Sequence, residues 1–302
     1  MNPPAGVRPD YPLERLTTIR TGGPGDWFAR PGTLVELVDL LRWAASDGID
    51  VGVVGSGSNL LISDLGFRGL VLKLDEDLAR IEQQGERLVC GGGARLPQAA
   101  AQSARAGLSG LEFGVNIPGT VGGAVKMNAN AYGGDLSNVL EWVLVATPDG
   151  ADRRTPGDLG FQYRRSNLKP REVVARASFA LDPADPSEVK STLAGMRAQR
   201  REAQPSGIKT FGSTFKNPDD ARAEGRSAGV LLDQAGCRGL QVGGARFSEK
   251  HANFVENMGE ATTADVVALM AKGRRRVREQ FGVVLEPEVQ VLGEVDTRGI
   301  YE

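Results

Sequence analysis

The 302-residue chain is poor in the residues that build disulfides and metal sites: it has two cysteines, Cys90 and Cys237, and one histidine, His251. Neither cysteine has a partner at CxxC spacing, so we expect reduced thiols in a cytoplasmic protein. A single histidine excludes a histidine-rich metal site and argues against a Ser-His-Asp hydrolase. We therefore expect no metal site, and no catalytic role for either thiol.

Long apolar runs and an excess of one charge are also missing. No stretch approaches the roughly 18 apolar residues of a membrane span, and the first ten residues lack the apolar core of a signal peptide. The 36 lysines and arginines nearly balance the 38 aspartates and glutamates, which leaves a net charge of −2. Such a balance gives no overall field for nucleic acid or an anionic membrane, and we expect neither as a partner.

Glycine, in contrast, is abundant: there are 40, concentrated at residues 52–57, 91–93 and 107–134. Glycine clusters indicate places where the backbone turns sharply or approaches another group closely. The first cluster lies in VGVVGSGSNLLI (residues 51–62), which is typical of a buried strand, a polar turn and a second strand. The dinucleotide motif GxGxxG fails here, because Leu60 replaces the third glycine and a strand-like segment follows instead of a helix.

Two interpretations of this turn stay open from the residues alone. Successive N–H groups in a glycine-rich turn form a nest that suits a diphosphate, and Ser56, Ser58 and Asn59 would add side-chain donors. The alternative is a plain hairpin turn. The segment 114–134 favours a ligand, because so long a loop in a compact domain is uncommon unless functional. Its small apolar and amide side chains suit a large, flat, partly apolar molecule.

Local patterns predict a mixed α+β protein without internal repeats. Thr33 and Glu36 form a capping-box pattern before the first helix, and Pro205 after a charged helix end marks the clearest domain boundary. Helices are expected at residues 33–45, 97–105, 187–204, 227–234 and 262–281, with a short one inside 109–134. Strands are expected at 51–54, 60–62, 69–74, 141–146, 173–181, 210–218, 252–257 and 283–292, and a hairpin before residue 91.

Several motifs in register now resemble the bacterial UDP-N-acetylenolpyruvoylglucosamine reductases, over about residues 16–293. They are TTIRTGGPGDWFARP (17–31), GSGSNLL (55–61), GLEFGVNIPGTVGGAVKMNANAYGG (110–134), YRRS (163–166), GSTFKNP (212–218) and LEPEV (285–289). The resemblance implies two FAD-binding lobes of the vanillyl-alcohol-oxidase type at residues 1–75 and 76–204. A smaller α/β substrate-binding domain would follow at residues 205–302.

The resemblance also implies the chemistry and the cofactors. FAD would be the bound cofactor and NADPH the co-substrate. The reaction would reduce the enolpyruvyl double bond of UDP-N-acetylglucosamine enolpyruvate to UDP-N-acetylmuramate, a peptidoglycan precursor and so part of cell-wall growth. We expect a cytoplasmic monomer. The cofactor-binding residues implied are Gly55, Ser56, Gly57, Ser58, Asn59, Leu60, Asn116, Ile117, Pro118, Gly119, Thr120, Gly122, Gly123 and Ala124.

Three catalytic residues follow from motif position. Ser213 would donate a proton to the carbanion carbon, Arg164 would pair with the substrate carboxylate, and Glu288 would be a second acid or hydrogen-bonding partner. A serine is a poor acid, so this role requires a strongly basic intermediate and a relay that restores the proton. A guanidinium offers fixed, permanently charged donors. We expect the three side chains to converge on one face of the isoalloxazine ring.

Residues next to these three are assigned roles from less specific sequence signals. Glu286 shares the strand face of Glu288 and is the alternative carboxyl, while Arg165 is expected at the surface. Lys216 and Asn217 would contact the substrate diphosphate or the nicotinamide cofactor; otherwise they serve the turn at KNP.

Two features depart from the family pattern. Residues 176–211 contain no tyrosine, which places the chain in the shorter subclass without a tyrosine lid over the nucleotide. Phe211 stands where a small residue is more usual.

His251 is interpreted as a packed structural residue. Two alternatives to the reductase function stay open: another flavin oxidoreductase of the same fold, or a protein that binds a flavin or nucleotide sugar without catalysis.

Overall fold

A computed structural model describes residues 3–301 and contains both helices and strands. The helices are α1 Leu34–Ser46, α2 Leu96–Arg105, α3 Val121–Lys126, α4 Leu136–Val139, α5 Pro186–Ala203, α6 Ala228–Gln234 and α7 Thr263–Phe281. The strands are β1 Arg8–Pro12, β2 Pro24–Ala29, β3 Asp50–Val53, β4 Leu60–Ile62, β5 Phe67–Leu72, β6 Ile81–Gln84, β7 Arg87–Gly91, β8 Leu108–Ser109, β9 Asn130–Ala131, β10 Gly134–Asp135, β11 Leu140–Thr147, β12 Gly150–Arg154, β13 Val173–Ala180, β14 Asp182–Pro183, β15 Gln241–Val242, β16 Ala245–Phe247, β17 Val255–Asn257 and β18 Gln290–Leu292. Short 3-10 helices lie at Leu13–Leu16, Glu76–Ala79, Glu112–Asn116, Pro156–Leu159 and Ala221–Ala223.

The described residues divide into two compact units. The first unit comprises residues 3–9, 27–56 and 68–200, and the second comprises residues 10–26, 57–67 and 201–301. The second unit thus includes two N-terminal stretches besides the C-terminal third of the chain. The division into two lobes and a C-terminal domain at residues 75 and 204 stays a prediction.

The first unit has two hydrophobic cores. A five-stranded antiparallel sheet of order β12-β11-β13-β7-β6 forms one of them with α2 and α3, where Leu88, Val143 and Phe179 are fully buried. The other core packs Leu37 of α1 against Leu70 of β5. β3 and β5 of this unit are parallel neighbours in a further sheet.

The second unit has one core, built around α6 and α7. It contains Phe211, Phe215 and Phe247, each at most 1% exposed. Phe211 therefore has a structural explanation, since its large ring fills the core of this unit. The strands of the unit are the antiparallel group β15-β16-β17 and the parallel pair β18-β4.

The five long predicted helices are all present as α1, α2, α5, α6 and α7. Capping explains why the starts of α1 and α7 were predictable. Thr33 and Glu36 form the expected capping box before α1, and Thr262 and Asp265 form another before α7. Gly282 ends α7 in the left-handed conformation at φ +71°.

The strand predicted before the glycine turn is present as β3, but only part of it is buried: Val54 is 1% exposed, whereas Val53 is 45% exposed. The alternative of a hairpin is wrong. β3 pairs with β5 and β4 pairs with β18, both in parallel, so the strands on either side of the turn belong to different sheets. A hairpin turn would require those two strands to pair with each other. The turn at Gly55–Asn59 therefore needs another explanation.

Two predicted strands, 210–218 and 283–292, are largely irregular. Only Gln290–Leu292 is regular strand, and residues 213–216 make isolated pairs, between Ser213 and Phe254 and between Phe215 and Pro287. Residues 214–216 pair through the backbone with residues 286–288 along one edge. On the other edge the side chain of Asn253 bonds to both backbone polar groups of Phe215, so no continuous ladder forms there.

Candidate functional site

The Gly55–Asn59 turn holds a row of unused backbone donors. Among residues 3–301, no acceptor is found for the N–H groups of these five residues. The Oγ atom of Ser56 is buried, and it also has no hydrogen-bond partner in the described part of the chain. Buried donors of this kind are normally satisfied. The turn therefore has the properties of a site for an acceptor-rich group such as a diphosphate.

Gly57 is required at the centre of this turn. Its φ is +64°, and a Cβ atom there would overlap the carbonyl oxygen of Leu16. The carbonyl of Gly57 accepts hydrogen bonds from the N–H (3.1 Å) and the hydroxyl (3.1 Å) of Thr18. With its carbonyl fixed in this way, the peptide keeps one orientation.

Within the first unit, the start of the turn lies against the second glycine-rich segment. A Cβ atom at Gly55 would overlap the side chain of Thr120. The ammonium of Lys73 donates to the carbonyl of Gly55, and burial lowers the pKa of Lys73, as do the neighbouring cations Arg30 and Arg95. A concentration of positive charge here suits an anionic ligand.

The segment Gly119–Ala124 is fixed by backbone bonds to residues 92–96. The N–H of Leu96 donates to Gly119 O (3.0 Å), and the N–H of Gly122 donates to Gly92 O (2.8 Å). A Cβ atom would meet nothing nearer than 3.9 Å at Gly119 and nothing nearer than 3.5 Å at Gly123. The protein itself therefore does not demand glycine at those two positions, whereas a ligand lying against the backbone would.

Other predicted cofactor residues have visible structural roles. The amide of Asn116 donates to Tyr132 Oη and to Met196 O, both at 2.8 Å. Ala124 is buried in the core, and its N–H donates to Thr120 O. Ile117 is partly buried against the same core and Pro118 is exposed. Their contacts with a cofactor stay predictions.

The residues of these two segments fit the cofactor that the sequence resemblance implies. FAD would present diphosphate oxygens to the free N–H groups and to the Ser56 hydroxyl. Its flat rings would have room against Gly119 and Gly123. The fit rests on unsatisfied donors and on open glycines, two properties that a merely structural turn does not need.

Arg164 occupies a strained position in the first unit. It lies in a tight turn in which Gln162 and Arg165 exchange backbone hydrogen bonds of 3.0 and 3.1 Å, and its φ is +58°. Its guanidinium donates to Asn130 Oδ1 (2.8 Å) and lies over the ring of Tyr163. Other non-glycine residues of the described chain, such as Asp10 and Glu224, share this left-handed backbone, so the hydrogen bond to Asn130 and not the value of φ distinguishes Arg164. Arg165 is exposed, as expected.

Ser213 and Glu288 belong to neighbouring segments of the second unit. The N–H of Glu288 donates to Thr214 O (2.9 Å), and the amide of Asn59 donates to Glu288 O (3.2 Å). Both Ser213 and Glu288 are half-buried. The structure therefore brings the backbone of Glu288 next to Asn59, at the end of the glycine turn, and next to Thr214, the residue that follows the predicted proton donor. Arg164 belongs to the other unit, and its convergence with them stays a prediction.

The alternative carboxyl, Glu286, is paired and exposed. Its side chain is 73% exposed and accepts from Lys216 Nζ at 3.2 Å. Asn217 Oδ1 accepts from the N–H of Ala228 at the start of α6 (3.2 Å), which is the turn role considered from the sequence. Glu288, being half-buried, remains the stronger candidate. Substrate contacts by Lys216 and Asn217 stay predictions.

Sequence reasoning missed the polar residues that hold this site. Asn253 is 4% exposed and bonds to both backbone polar groups of Phe215, and Lys73 donates to Gly55 O. No local motif marks these two residues, because their partners are 38 and 18 residues away. Asn130 lies in the glycine-rich motif at residues 110–134, but its hydrogen bond with Arg164 was not predictable from that motif. His251 packs edge-on against Phe254, and burial lowers its pKa.

The described residues contain no group of three or more histidine, cysteine, aspartate or glutamate side chains arranged for a metal ion. Burial raises the pKa of Cys90 to about 12, which keeps this thiol protonated and unreactive. No helix between residues 3 and 301 has both the length and the hydropathy to cross a bilayer.

Comparisons with known proteins match both parts of the chain. Residues 25–155 match the family model of an FAD binding domain, and residues 204–292 match that of the UDP-N-acetylenolpyruvoylglucosamine reductase C-terminal domain. UDP-N-acetylenolpyruvoylglucosamine reductase 2 of Symbiobacterium thermophilum is 44% identical over 292 residues, 96% of this chain and 93% of that protein. The reductase of Agathobacter rectalis is 43% identical over 306 residues, 97% of this chain and 96% of its own.

A solved structure agrees with these matches. The UDP-N-acetylenolpyruvylglucosamine reductase of Thermus caldophilus superposes with a TM-score of 0.81 at 36% sequence identity. The match covers 95% of this chain and 98% of that one. Together these matches confirm the predicted α+β FAD-binding fold with a separate C-terminal domain.

Proposed function

The chain belongs to the family of UDP-N-acetylenolpyruvoylglucosamine reductases, and from that premise we propose that it reduces the enolpyruvyl ether of UDP-N-acetylglucosamine to UDP-N-acetylmuramate. It is an FAD-containing oxidoreductase of peptidoglycan precursor synthesis. We further propose that NADPH is the reductant and that the two substrates react in turn. Bound FAD would supply the hydride chemistry that this reduction needs.

The role of the protein is to orient the double bond, to stabilise negative charge and to supply a proton. Conjugation with the carboxylate allows hydride to add to the far carbon, so charge develops towards the carboxylate as an enolate. Ser213 Oγ would deliver the proton to the carbanion carbon. Arg164 would pair with the carboxylate, where a rigid guanidinium stabilises the developing charge.

Glu288 would assist at the same centre, either by hydrogen bonding or by restoring the proton of Ser213. The observation that supports this assignment is the pairing of residues 214–216 with residues 286–288 in one unit. The exposure of Glu286 and its ion pair with Lys216 favour Glu288 over it.

The test separates the two half-reactions. The protein is reduced anaerobically with NADPH while flavin absorbance is followed, and the enolpyruvyl sugar nucleotide is then added. We expect Ser213→Ala to keep flavin reduction and to lose reoxidation by about 10²-fold or more, the range of a general acid. Ser63→Ala is the matched control, because Ser63 lies in the same unit and its hydroxyl bonds only to backbone groups, donating to Glu294 O (2.6 Å) and accepting from the N–H of Leu65 (3.1 Å).

A catalytically silent binding protein would show no reoxidation with wild-type protein. Normal reoxidation by Ser213→Ala would show that the proton comes from elsewhere. Glu288→Gln and Glu286→Gln, compared in the same assay, decide between the two carboxyls: we expect the first to slow reoxidation more.

A further inference from the structure

Asn253 makes a two-sided contact with the segment that carries Ser213. Its Oδ1 accepts from the N–H of Phe215 at 2.9 Å, and its Nδ2 donates to Phe215 O at 2.8 Å. Its backbone carbonyl accepts from the N–H of Thr214 at 2.8 Å. One asparagine therefore satisfies three backbone groups immediately after Ser213.

The opposite edge of the same segment is already occupied. Thr214 O accepts from the N–H of Glu288 (2.9 Å), and the N–H of Lys216 donates to Glu286 O (2.9 Å). Between these two bonds, Phe215 presents its own N–H and C=O to the other edge, where Asn253 meets both. The amide side chain thus takes the place of a neighbouring strand.

Asn253 is itself well fixed. Its side chain is 4% exposed, and its backbone N–H donates to His251 Nδ1 at 3.3 Å. Phe215, to which it bonds, is 1% exposed. A buried amide with both ends bonded has little freedom to shift, and removal of either bond would leave a buried backbone group unsatisfied.

We propose that Asn253 is a positioning residue that sets the register of residues 213–216 and so directs the Ser213 hydroxyl at the substrate. A slip of one residue would turn Ser213 to the opposite side of the segment. The flanking backbone pairs, with three residues along one edge and the single Ser213–Phe254 bridge on the other, are too few to resist such a slip alone. This inference rests on the proposed function, in which Ser213 is the proton donor.

The experiment compares the two half-reactions in Asn253→Ala. We expect flavin reduction by NADPH to stay within about twofold of wild type. Reoxidation by the enolpyruvyl sugar nucleotide should slow by about tenfold to a hundredfold, as expected for a donor displaced by about 1 Å. The solvent deuterium isotope effect on reoxidation should rise, because proton delivery then limits the step.

A second variant keeps the test decisive if Asn253→Ala loses flavin. Asn253→Asp keeps the shape and the acceptor for the N–H of Phe215, but its ionised form has no donor for Phe215 O. Protonation of the aspartate restores that donor. We therefore expect reoxidation by this variant, relative to wild type, to recover as the pH is lowered.

The matched control is Asn257→Ala. Asn257 is 8% exposed, lies in the same unit and also bonds to backbone, donating to Ile19 O (2.9 Å) and accepting from Gly259 N (2.8 Å). It should leave the ratio of the two half-reaction rates unchanged. If Asn253→Ala leaves reoxidation unchanged, or slows both half-reactions alike as a destabilised protein would, the positioning role is wrong. Normal reoxidation by Ser213→Ala would instead refute the premise.

Discussion

The two segments that carry the candidate site are held in different ways. In the first unit, Gly119 and Gly122 are fixed by backbone hydrogen bonds to residues 92–96 and by close packing of glycines. In the second unit, one edge of the Ser213 segment is held by the Asn253 side chain and by two backbone contacts, from Thr214 to Asn253 O and between Ser213 and Phe254. The first arrangement includes close backbone packing at Gly92 and Gly122, whereas the second depends largely on one residue, Asn253. We therefore expect substitutions in these two segments to have different effects on the protein.

The largest loss of stability is expected at a glycine that packs directly against the backbone of another strand. A Cβ atom at Gly92 would overlap the carbonyl oxygen of Val174 in β13. Because neither chain can move without breaking the sheet, we expect Gly92→Ala to lower the free energy of unfolding by about 3 kcal/mol, at the upper end of overpacking costs. FAD affinity should fall as well. Urea unfolding followed by tryptophan fluorescence measures this, since Trp27, Trp43 and Trp142 all lie in the first unit.

Gly85 provides the control for this prediction. It lies in the hairpin turn between β6 and β7 at φ +62°, with no atom within 4 Å of an added Cβ. Gly85→Ala should cost only about 1 kcal/mol, from left-handed strain alone. Equal losses for the two variants would mean that backbone strain and not close packing makes Gly92 necessary.

A smaller loss of stability is expected at a glycine that packs against a side chain. A Cβ atom at Gly55 would overlap Oγ1 of Thr120, which also caps α3. We expect Gly55→Ala to cost about 2 kcal/mol and Thr120→Ala about 1 kcal/mol through the lost cap. The double variant should cost less than the sum, because removal of the hydroxyl makes room for the new methyl. Strict additivity in unfolding and in FAD affinity would show that the two residues do not touch.

The same contrast explains what the sequence could predict. Glycine clusters and capping boxes are local signals, so α1, α7 and the glycine-rich segments were foreseen from the residues alone. The motifs of the family also indicated Ser213, Arg164 and Glu288. Each of these signals is contained in a few consecutive residues.

Contacts between residues that are distant in the sequence could not be predicted from local patterns. Asn253 acts on Phe215, 38 residues away, and the first-unit lysine Lys73 acts on Gly55, 18 residues away. The strand predicted at 210–218 was wrong because its second edge is bonded to an asparagine side chain, which no periodicity reveals. The hairpin alternative was wrong because the partners of β3 and β4 lie elsewhere in the chain.

His251 adds a contact in the second unit that should depend on pH. Its Nδ1 accepts from the N–H of Asn253, and an added Cβ at Gly229 would lie 2.8 Å from its Cε1. Burial lowers the pKa of this imidazole; Arg238 also lowers it, while Asp233 raises it. Protonation would turn the accepting nitrogen into a donor and so remove the bond to Asn253.

The smallest effect should therefore be a pH-dependent loss of stability in the second unit. Since the folded pKa lies below the unfolded value of about 6.5, the unfolded chain binds a proton first as the pH falls. Stability should be complete above about pH 6.5 and decline below it, before the carboxylates titrate near pH 4. Because His251 is the only histidine, urea midpoints followed by circular dichroism between about pH 7 and 5 isolate it. His251→Asn, which can keep an acceptor for the N–H of Asn253, should flatten the profile. An unchanged slope in that variant would mean that the Asn253 contact does not depend on a neutral imidazole.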